Sequence, residues 1–298
     1  MKKVFLVIFL ALALLIIITG GVIFWHANYL IGEMVNLRVE RNGELIEYYS
    51  DFLEQVELQA EDGVSLSAWN FHREDPRAVI VMLHGMHGMD ASSLLDIGFD
   101  FYQEGFEVFS LDMRAHGMSS GEEIGLGYTE VRDVSALLDW IKQREKLRDK
   151  DVYLFGFSMG GATAINTAAK REDVSGVISI ASFTSYEENF LYYMRKENLP
   201  GIVIAMYRPA IRLSLRLKYG IDPVANSPIN NISSISPRSV LLIHGDGDDQ
   251  IPLEQGKRLF AEGGESVDLY VAGGKGHFLI MDLLQEKETR DLILEFFN

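Results

Sequence analysis

From residue 78 onward, short apolar runs alternate with polar, glycine-bearing loops: Ala78–Leu83, Glu107–Ser110, Asp151–Phe155, Gly176–Ile180, Ser239–Ile243 and Val267–Val271. The runs are continuous rather than alternating, which predicts strands buried on both faces. Between them lie segments with a helical period. Residues 128–143 place Val131, Val134, Leu137, Leu138 and Ile141 on one stripe, with Arg132, Asp133, Asp139 and Lys142 off it. Residues 282–297 repeat this with Leu283, Leu284, Leu292, Ile293 and Phe296 as a closing helix, and residues 159–170 form a third. Upstream, Val56–Ala60 and Val64–Trp69 flank Glu61-Asp62-Gly63, the pattern of an antiparallel edge hairpin. Strands alternating with helices predict an α/β fold, a mostly parallel sheet with helices on both faces.

Two stretches depart from this alternation. Val4–Trp25 carries no charge, and at ~1.5 Å per helical residue it is long enough to cross a hydrocarbon core of about 30 Å. Lys2 and Lys3 favour a cytoplasmic amino end, which would put the rest of the chain on the opposite side. A cleaved signal peptide is the rival reading; against it stand the length of the run and the poor cleavage site offered by Thr19-Gly20-Gly21. Residues 1–27 are therefore expected to be a single-pass anchor. Residues 28–52 lack a clear period and read as a tether with some helix, or as an extension packed on the body. The second departure, Phe183–Leu217, is rich in aromatics and arginines, including Tyr186, Phe190, Tyr192, Tyr193, Tyr207, Arg195, Arg208, Arg212 and Arg216. Within it Ile211, Leu213, Leu215 and Leu217 alternate with Arg212, Ser214, Arg216 and Lys218, so periodicity alone reads this piece as a strand. Pro200-Gly201 and Pro209 are expected to break its helices.

Composition narrows the function classes. With 298 residues and 48% hydrophobic content the chain can bury one sizeable core, and a net charge of −16 disfavours nucleic acid as a partner. The absence of cysteine excludes disulfide and thiol chemistry. The seven histidines are not spaced as metal ligands, even at His84 and His87, so neither metal nor cofactor is expected. His116 and His244 end apolar runs and read as hydrogen-bonded loop residues.

The chemistry-bearing motif is Gly156-Phe157-Ser158-Met159-Gly160, set between a strand-like run and a helix-like one. At a sharp strand-to-helix turn small neighbours are needed, and Gly156, Gly160, Gly161 and Ala162 supply them, leaving the Ser158 hydroxyl exposed. The same turn puts the Met159 N–H at a helix N-terminus, where it can stabilise an oxyanion. A serine nucleophile needs an imidazole base oriented by a carboxylate. His277, in the loop Gly273–Phe278, and the acidic turn holding Asp246, Asp248 and Asp249 are the candidates.

These motifs, in the order Ser, Asp, His, make the chain from about Val56 resemble an α/β-hydrolase of the esterase, lipase and serine-aminopeptidase-like branch. His84-Gly85-Met86-His87-Gly88 is similar to the family's first oxyanion loop, with Met86 at the donor position. Asp112-Met113-Arg114-Ala115-His116-Gly117-Met118-Ser119 resembles its D-x-R-G-H-G-x-S loop, with Ala115 where glycine is usual. His244, Gly245, Asp248, Ile251 and Pro252 match H-G-x-x-D-x-x-[VI]-P, so the resemblance selects Asp248 and leaves Asp246 and Asp249 as solvated turn residues. It implies a catalytic set of Ser158, Asp248 and His277, with Met86 and Met159 as oxyanion donors. It also implies a hydrolase domain over residues 53–298, with a small helical cap inserted at about 183–236. The activity expected is hydrolysis of a small-molecule carboxylic ester by a carboxylesterase- or lipase-like, membrane-tethered enzyme whose catalytic domain is extracytoplasmic, or secreted if the signal is cut. A peptidase or amidase, and a binding protein that keeps the fold without using it, are the alternatives.

Overall fold

A computed structural model describes residues 2–220 and 222–297. Met1, Ile221 and Asn298 fall within the expected anchor, cap and hydrolase segments and lie outside the described residues. Eight strands form one sheet: β1 (Leu53–Gln59), β2 (Ser65–Phe71), β3 (Val79–Leu83), β4 (Glu107–Asp112), β5 (Val152–Phe157), β6 (Gly176–Ile180), β7 (Ser239–Gly245) and β8 (Val267–Ala272). Their spatial order is β1-β2-β4-β3-β5-β6-β7-β8. β2 is antiparallel to both β1 and β4, and every pairing from β4 across to β8 is parallel. All residues of β3, β4 and β6 are buried, as continuous apolar runs require. Along β3, Val79, Val81 and Leu83 enter the core on one face, while Ile80 and Met82 enter the core on the other.

Helices cover both faces. α2 (Glu44–Tyr48), α3 (Leu95–Gln103) and α10 (Lys287–Phe296) pack on the side of Ile80. α4 (Glu130–Lys142), α5 (Met159–Ala168) and α9 (Leu253–Gly263) pack on the side of Val81. The expected closing helix starts late, at Lys287, after a separate 3₁₀ turn over Leu279–Met281.

Between β6 and β7 the chain forms α6 (Tyr186–Lys196), α7 (Gly201–Tyr219) and the short α8 (Pro228–Asn231). Pro200 does precede a helix, but Pro209 lies inside α7 without ending it. The strand-like alternation is overridden for a geometric reason. At 100° per residue, Ile211 and Leu215 fall on the buried face of α7, while Leu213 and Leu217 fall on the exposed one.

The amino-terminal helix α1 runs from Lys2 to Val35, 34 residues without a break. Its apolar side chains are mostly exposed as far as Val22, whereas Ile23 and Phe24 pack against the core of the body and Ala27, Ile31 and Val35 are fully buried in it. After it, Val39 bonds to the backbone of Ala115 and Gly117, and Ile46 and Tyr49 pack into the core around Phe71. Tyr49 meets Phe99 at a ring separation of 4.9 Å.

One charged cluster locks three of these pieces together. Arg114 donates through Nε and Nη2 to Asp133 of α4, at 3.0 and 2.6 Å, and through Nη1 to Asp62 of the β1–β2 turn at 2.9 Å. Asp133 therefore lies buried beside the apolar stripe of α4 rather than on its polar face. Removing one partner of a buried pair costs about 3–5 kcal/mol when the other charge is left buried, and the partly exposed Asp62 compensates Arg114 only in part. Asp133→Ala should accordingly lower the unfolding free energy by about that amount in a urea titration; a change below about 1 kcal/mol, the level of an exposed pair, would contradict this role.

Candidate active site

β5 ends in a turn whose residue Ser158 has φ 55° and ψ −115°, a left-handed conformation that a side-chain-bearing residue holds only when its surroundings impose it. Those surroundings admit no side chain on either flank. A Cβ on Gly160 would lie 2.1 Å from the Leu83 carbonyl oxygen, and one on Gly156 would lie 2.3 Å from the carbonyl oxygen of Gly160. The start of α5 is thus pressed against the ends of β3 and β5. The Ser158 N–H is engaged by the Ile180 carbonyl at 2.8 Å, which leaves the hydroxyl free to turn outward.

β7 and β8 supply the partners. His277 Nε2 lies 3.1 Å from Ser158 Oγ, and its Nδ1 lies 2.7 Å from Asp248 Oδ2. Asp248 is itself oriented by the N–H groups of Gln250 and Ile251, which donate to Oδ1 at 2.9 and 2.8 Å. The other two acids of that turn point elsewhere: Asp246 accepts from the Gly274 N–H, and Asp249 pairs with Lys196 at the surface. His244 donates from Nε2 to the Ile251 carbonyl and so braces the same turn from below. Phe157 packs against the imidazole of His277 at 5.1 Å.

Met86 and Met159 both line the cavity over Ser158, and the N–H of neither donates to another protein group among the described residues. The loop that carries Met86 is held by buried polar contacts. His84 donates from Nδ1 to the Gly85 carbonyl and accepts at Nε2 from the Met113 N–H, and its ring lies 4.5 Å from that of His116. Burial pushes His84 down to about 4 and His116 down to about 3, so both rings are neutral at physiological pH. Asp112 closes the neighbouring loop by accepting from the N–H groups of Ala91 and Met118. Burial nevertheless raises its carboxyl to about 7. A side chain at Gly117 would collide with that carboxylate, and Ala115, where the pattern expects glycine, adopts φ 61°.

The cavity over Ser158 is about 180 Å³. Its walls are Phe157 and Phe278 from the body, Phe183, Tyr186, Asn189 and Tyr193 from the segment between β6 and β7, and Met34 from α1. The contribution of α1 is invisible in the sequence pattern, because Met34 reaches the site only through contacts distant in the chain. Its carbonyl accepts from His87 Nε2 at 2.7 Å, and its sulfur lies 2.9 Å from the Tyr186 hydroxyl.

Residues 74–228 match the profile Hydrolase_4, described as serine aminopeptidase, S33. The chain belongs to this hydrolase family. Among its relatives, the uncharacterized protein YqkD of Bacillus subtilis (strain 168) is 26% identical over 311 residues, spanning 100% of this chain and 98% of YqkD. Human Protein ABHD12B is 29% identical over 191 residues, which cover 62% of this chain and half of that protein. In structure, the Pyrococcus furiosus esterase Pf2001 superimposes with a TM-score of 0.70 at 21% identity, covering 88% of this chain and 98% of its own. The esterase EaEST of Exiguobacterium antarcticum gives 0.59 at 19% identity, covering 82% of this chain and 100% of its own. At such identities the likeness carries the fold, and the fold is that of an α/β-hydrolase.

The buried state of His84 has a measurable consequence for this hydrolase. Its folded-state pKa of about 4 lies below the ordinary 6.5, so the unfolded chain binds the extra proton. The stabilising contribution is therefore complete above pH 6.5 and disappears as pH falls through about 4. His84→Gln, which keeps a donor and an acceptor but cannot titrate, should lose less stability than the parent between these limits. Denaturant titrations with parallel pH slopes would contradict the assignment.

Proposed function

We propose that this protein is a serine hydrolase that cleaves carboxylic esters through an acyl-enzyme, with Ser158 as nucleophile, His277 as general base and acid, and Asp248 as the residue that orients the imidazole. The supporting observation is the continuous hydrogen-bonded line from Asp248 Oδ2 through both ring nitrogens of His277 to Ser158 Oγ, at 2.7 and 3.1 Å. In this reading His277 takes the hydroxyl proton as Ser158 Oγ attacks the ester carbonyl. The N–H groups of Met86 and Met159 then receive the negative charge that develops on the carbonyl oxygen. Collapse of the tetrahedral species expels the alcohol, to which His277 returns the proton. Water, deprotonated by the same imidazole, attacks the acyl group and releases the acid and free Ser158. Asp248 holds the Nδ1–H tautomer and stabilises the imidazolium in both halves of the cycle.

The cavity favours an ester with a small acyl group. Its volume of about 180 Å³ is below the 300–1,000 Å³ range of pockets for drug-sized ligands, and its walls are mainly apolar. The family's description as serine aminopeptidases supports an amide substrate as the second reading. Recognition of a free amino terminus calls for a carboxylate in the wall, and none of the described lining residues is Asp or Glu.

The apolar start of α1 supports tethering to a membrane, with Lys2 and Lys3 on the cytoplasmic side and the body extracytoplasmic; release after cleavage is the alternative. The segment from residue 2 to residue 35 is one helix, and its last turns belong to the core of the body, which favours retention.

Turnover of short p-nitrophenyl esters by the full-length protein tests the chemistry. Ser158→Ala should abolish it, and Asp248→Asn should reduce kcat by about 10⁴-fold through the wrong tautomer. A fluorophosphonate probe should label Ser158 in the parent. Retained turnover in the folded alanine variant, or no labelling of the parent, would refute the reading. Preference for an amino-acid amide over the matched ester would move the substrate to the second reading.

A further inference from the structure

The outer face of α7 is apolar, exposed and regular. Ile202, Met206, Leu213 and Leu217 recur at helical spacing on one face, with exposures of 73, 40, 48 and 68%. The arginines of the same helix do not turn this face into a basic one. Arg208 and Arg212 reach inward to the buried Glu187, and Arg216 pairs with Asp222. A continuous apolar face of this kind on a protein surface marks an interaction site.

What adjoins this face identifies its occupant. An apolar groove of about 580 Å³ runs between α7 and α1, bounded on one side by Met206, Pro209 and Leu213 and on the other by α1 from Leu15 to Phe24. If Val4–Trp25 is centred in a bilayer, the midplane falls near residues 14 and 15. The groove then occupies α1 from that plane to the leaflet surface, nine residue steps or about 14 Å, close to half of a hydrocarbon core of about 30 Å. Higher on α1, His26 bonds to Tyr207 and Asn28 to Ser214, so the polar contacts between the two helices begin where the apolar span ends. A helix face packed beside a span at that depth cannot remain in water.

We infer that the outer face of α7 is immersed in the leaflet next to α1, and that the groove between the two helices holds an acyl chain of a bilayer phospholipid. The inference rests on the proposed membrane span of α1 and is independent of the ester chemistry. The groove stops at Phe24, ten residues or about 15 Å along α1 from Met34. It is therefore a seat for the cap in the membrane rather than part of the cavity over Ser158. The body is held with its cap against the lipid, and its orientation relative to the membrane plane is set.

The chain contains no cysteine, so single nitroxide labels can be placed without background. Full-length protein carrying Ile202→Cys or Leu213→Cys would be reconstituted in vesicles of phosphatidylcholine and phosphatidylglycerol. Collision rates with oxygen, which partitions into lipid, and with a water-soluble nickel chelate would then be compared. Leu14→Cys marks the span and Lys287→Cys the exposed body. Labels at 202 and 213 should match the Leu14 label in favouring oxygen. Labels at 202 and 213 that match Lys287 while the Leu14 label stays in lipid would overturn the inference and leave the span intact. A Leu14 label exposed to nickel would overturn the span and the inference together. Spin–spin broadening between labels at residue 202 would assign the face to a second copy of the chain, and would equally overturn it.

Discussion

The site depends on a close approach between helix and strand. α5 begins so near the end of β3 that Gly160 has no room for a methyl group against the Leu83 carbonyl, and Gly156 has none against Gly160. Because helix and strand meet without side chains between them, the residue at the apex is forced to a positive φ, and that residue is Ser158. The same turn starts α5 at Met159, which lines the cavity over Ser158 together with Met86. Strain at one residue is offset by the packing of the fully buried strands on either side. A loop could not hold such a conformation; a turn clamped between β5 and α5 can.

Around that apex the structure spends buried polar groups on bracing loops. His84, His116, Asp112, Arg114 and Asp133 are all buried, and each bonds to backbone or to an opposite charge in a neighbouring segment. None of them faces the cavity over Ser158. They hold the Met86 loop against the loop after β4, and that loop against α4 and the edge hairpin, so that the backbone bordering Ser158 is fixed in place. Buried neutral imidazoles and a carboxyl with a raised pKa follow from the desolvation of groups whose use here is hydrogen bonding.

Much of this was legible in the residues. Continuous apolar runs gave the parallel strands, and small residues around Ser158 pointed to a tight turn. The order of the motifs suggested which serine, histidine and acid to examine. The limits of that reading have physical causes. The alternation of Ile211 to Lys218 is compatible with two helix faces when both carry apolar residues, so periodicity could not yield the helix that the resemblance implied, and the burial of Ile211 and Leu215 on one face of α7 distinguishes the cases. Pro209 costs a helix one hydrogen bond, which tertiary contacts on both sides of it outweigh. The period placed Asp133 off the apolar stripe and gave no sign of its burial, because its partner, Arg114, lies nineteen residues away in a loop.

The amino-terminal helix shows the same division between chain and fold. Its apolar length and the lysines before it are properties of the chain, since local hydropathy needs no partner. That the same helix continues to Val35, buries its last turns in the body, lends Met34 to the wall over Ser158 and lies along α7 are consequences of tertiary packing, because every one of those contacts joins segments with no pattern in common. Sequence alone determined the period of each element and the chemistry each loop could carry. Only the folded chain decided which side chains meet, since proximity across more than a hundred residues is set by how the sheet and its helices close around one another.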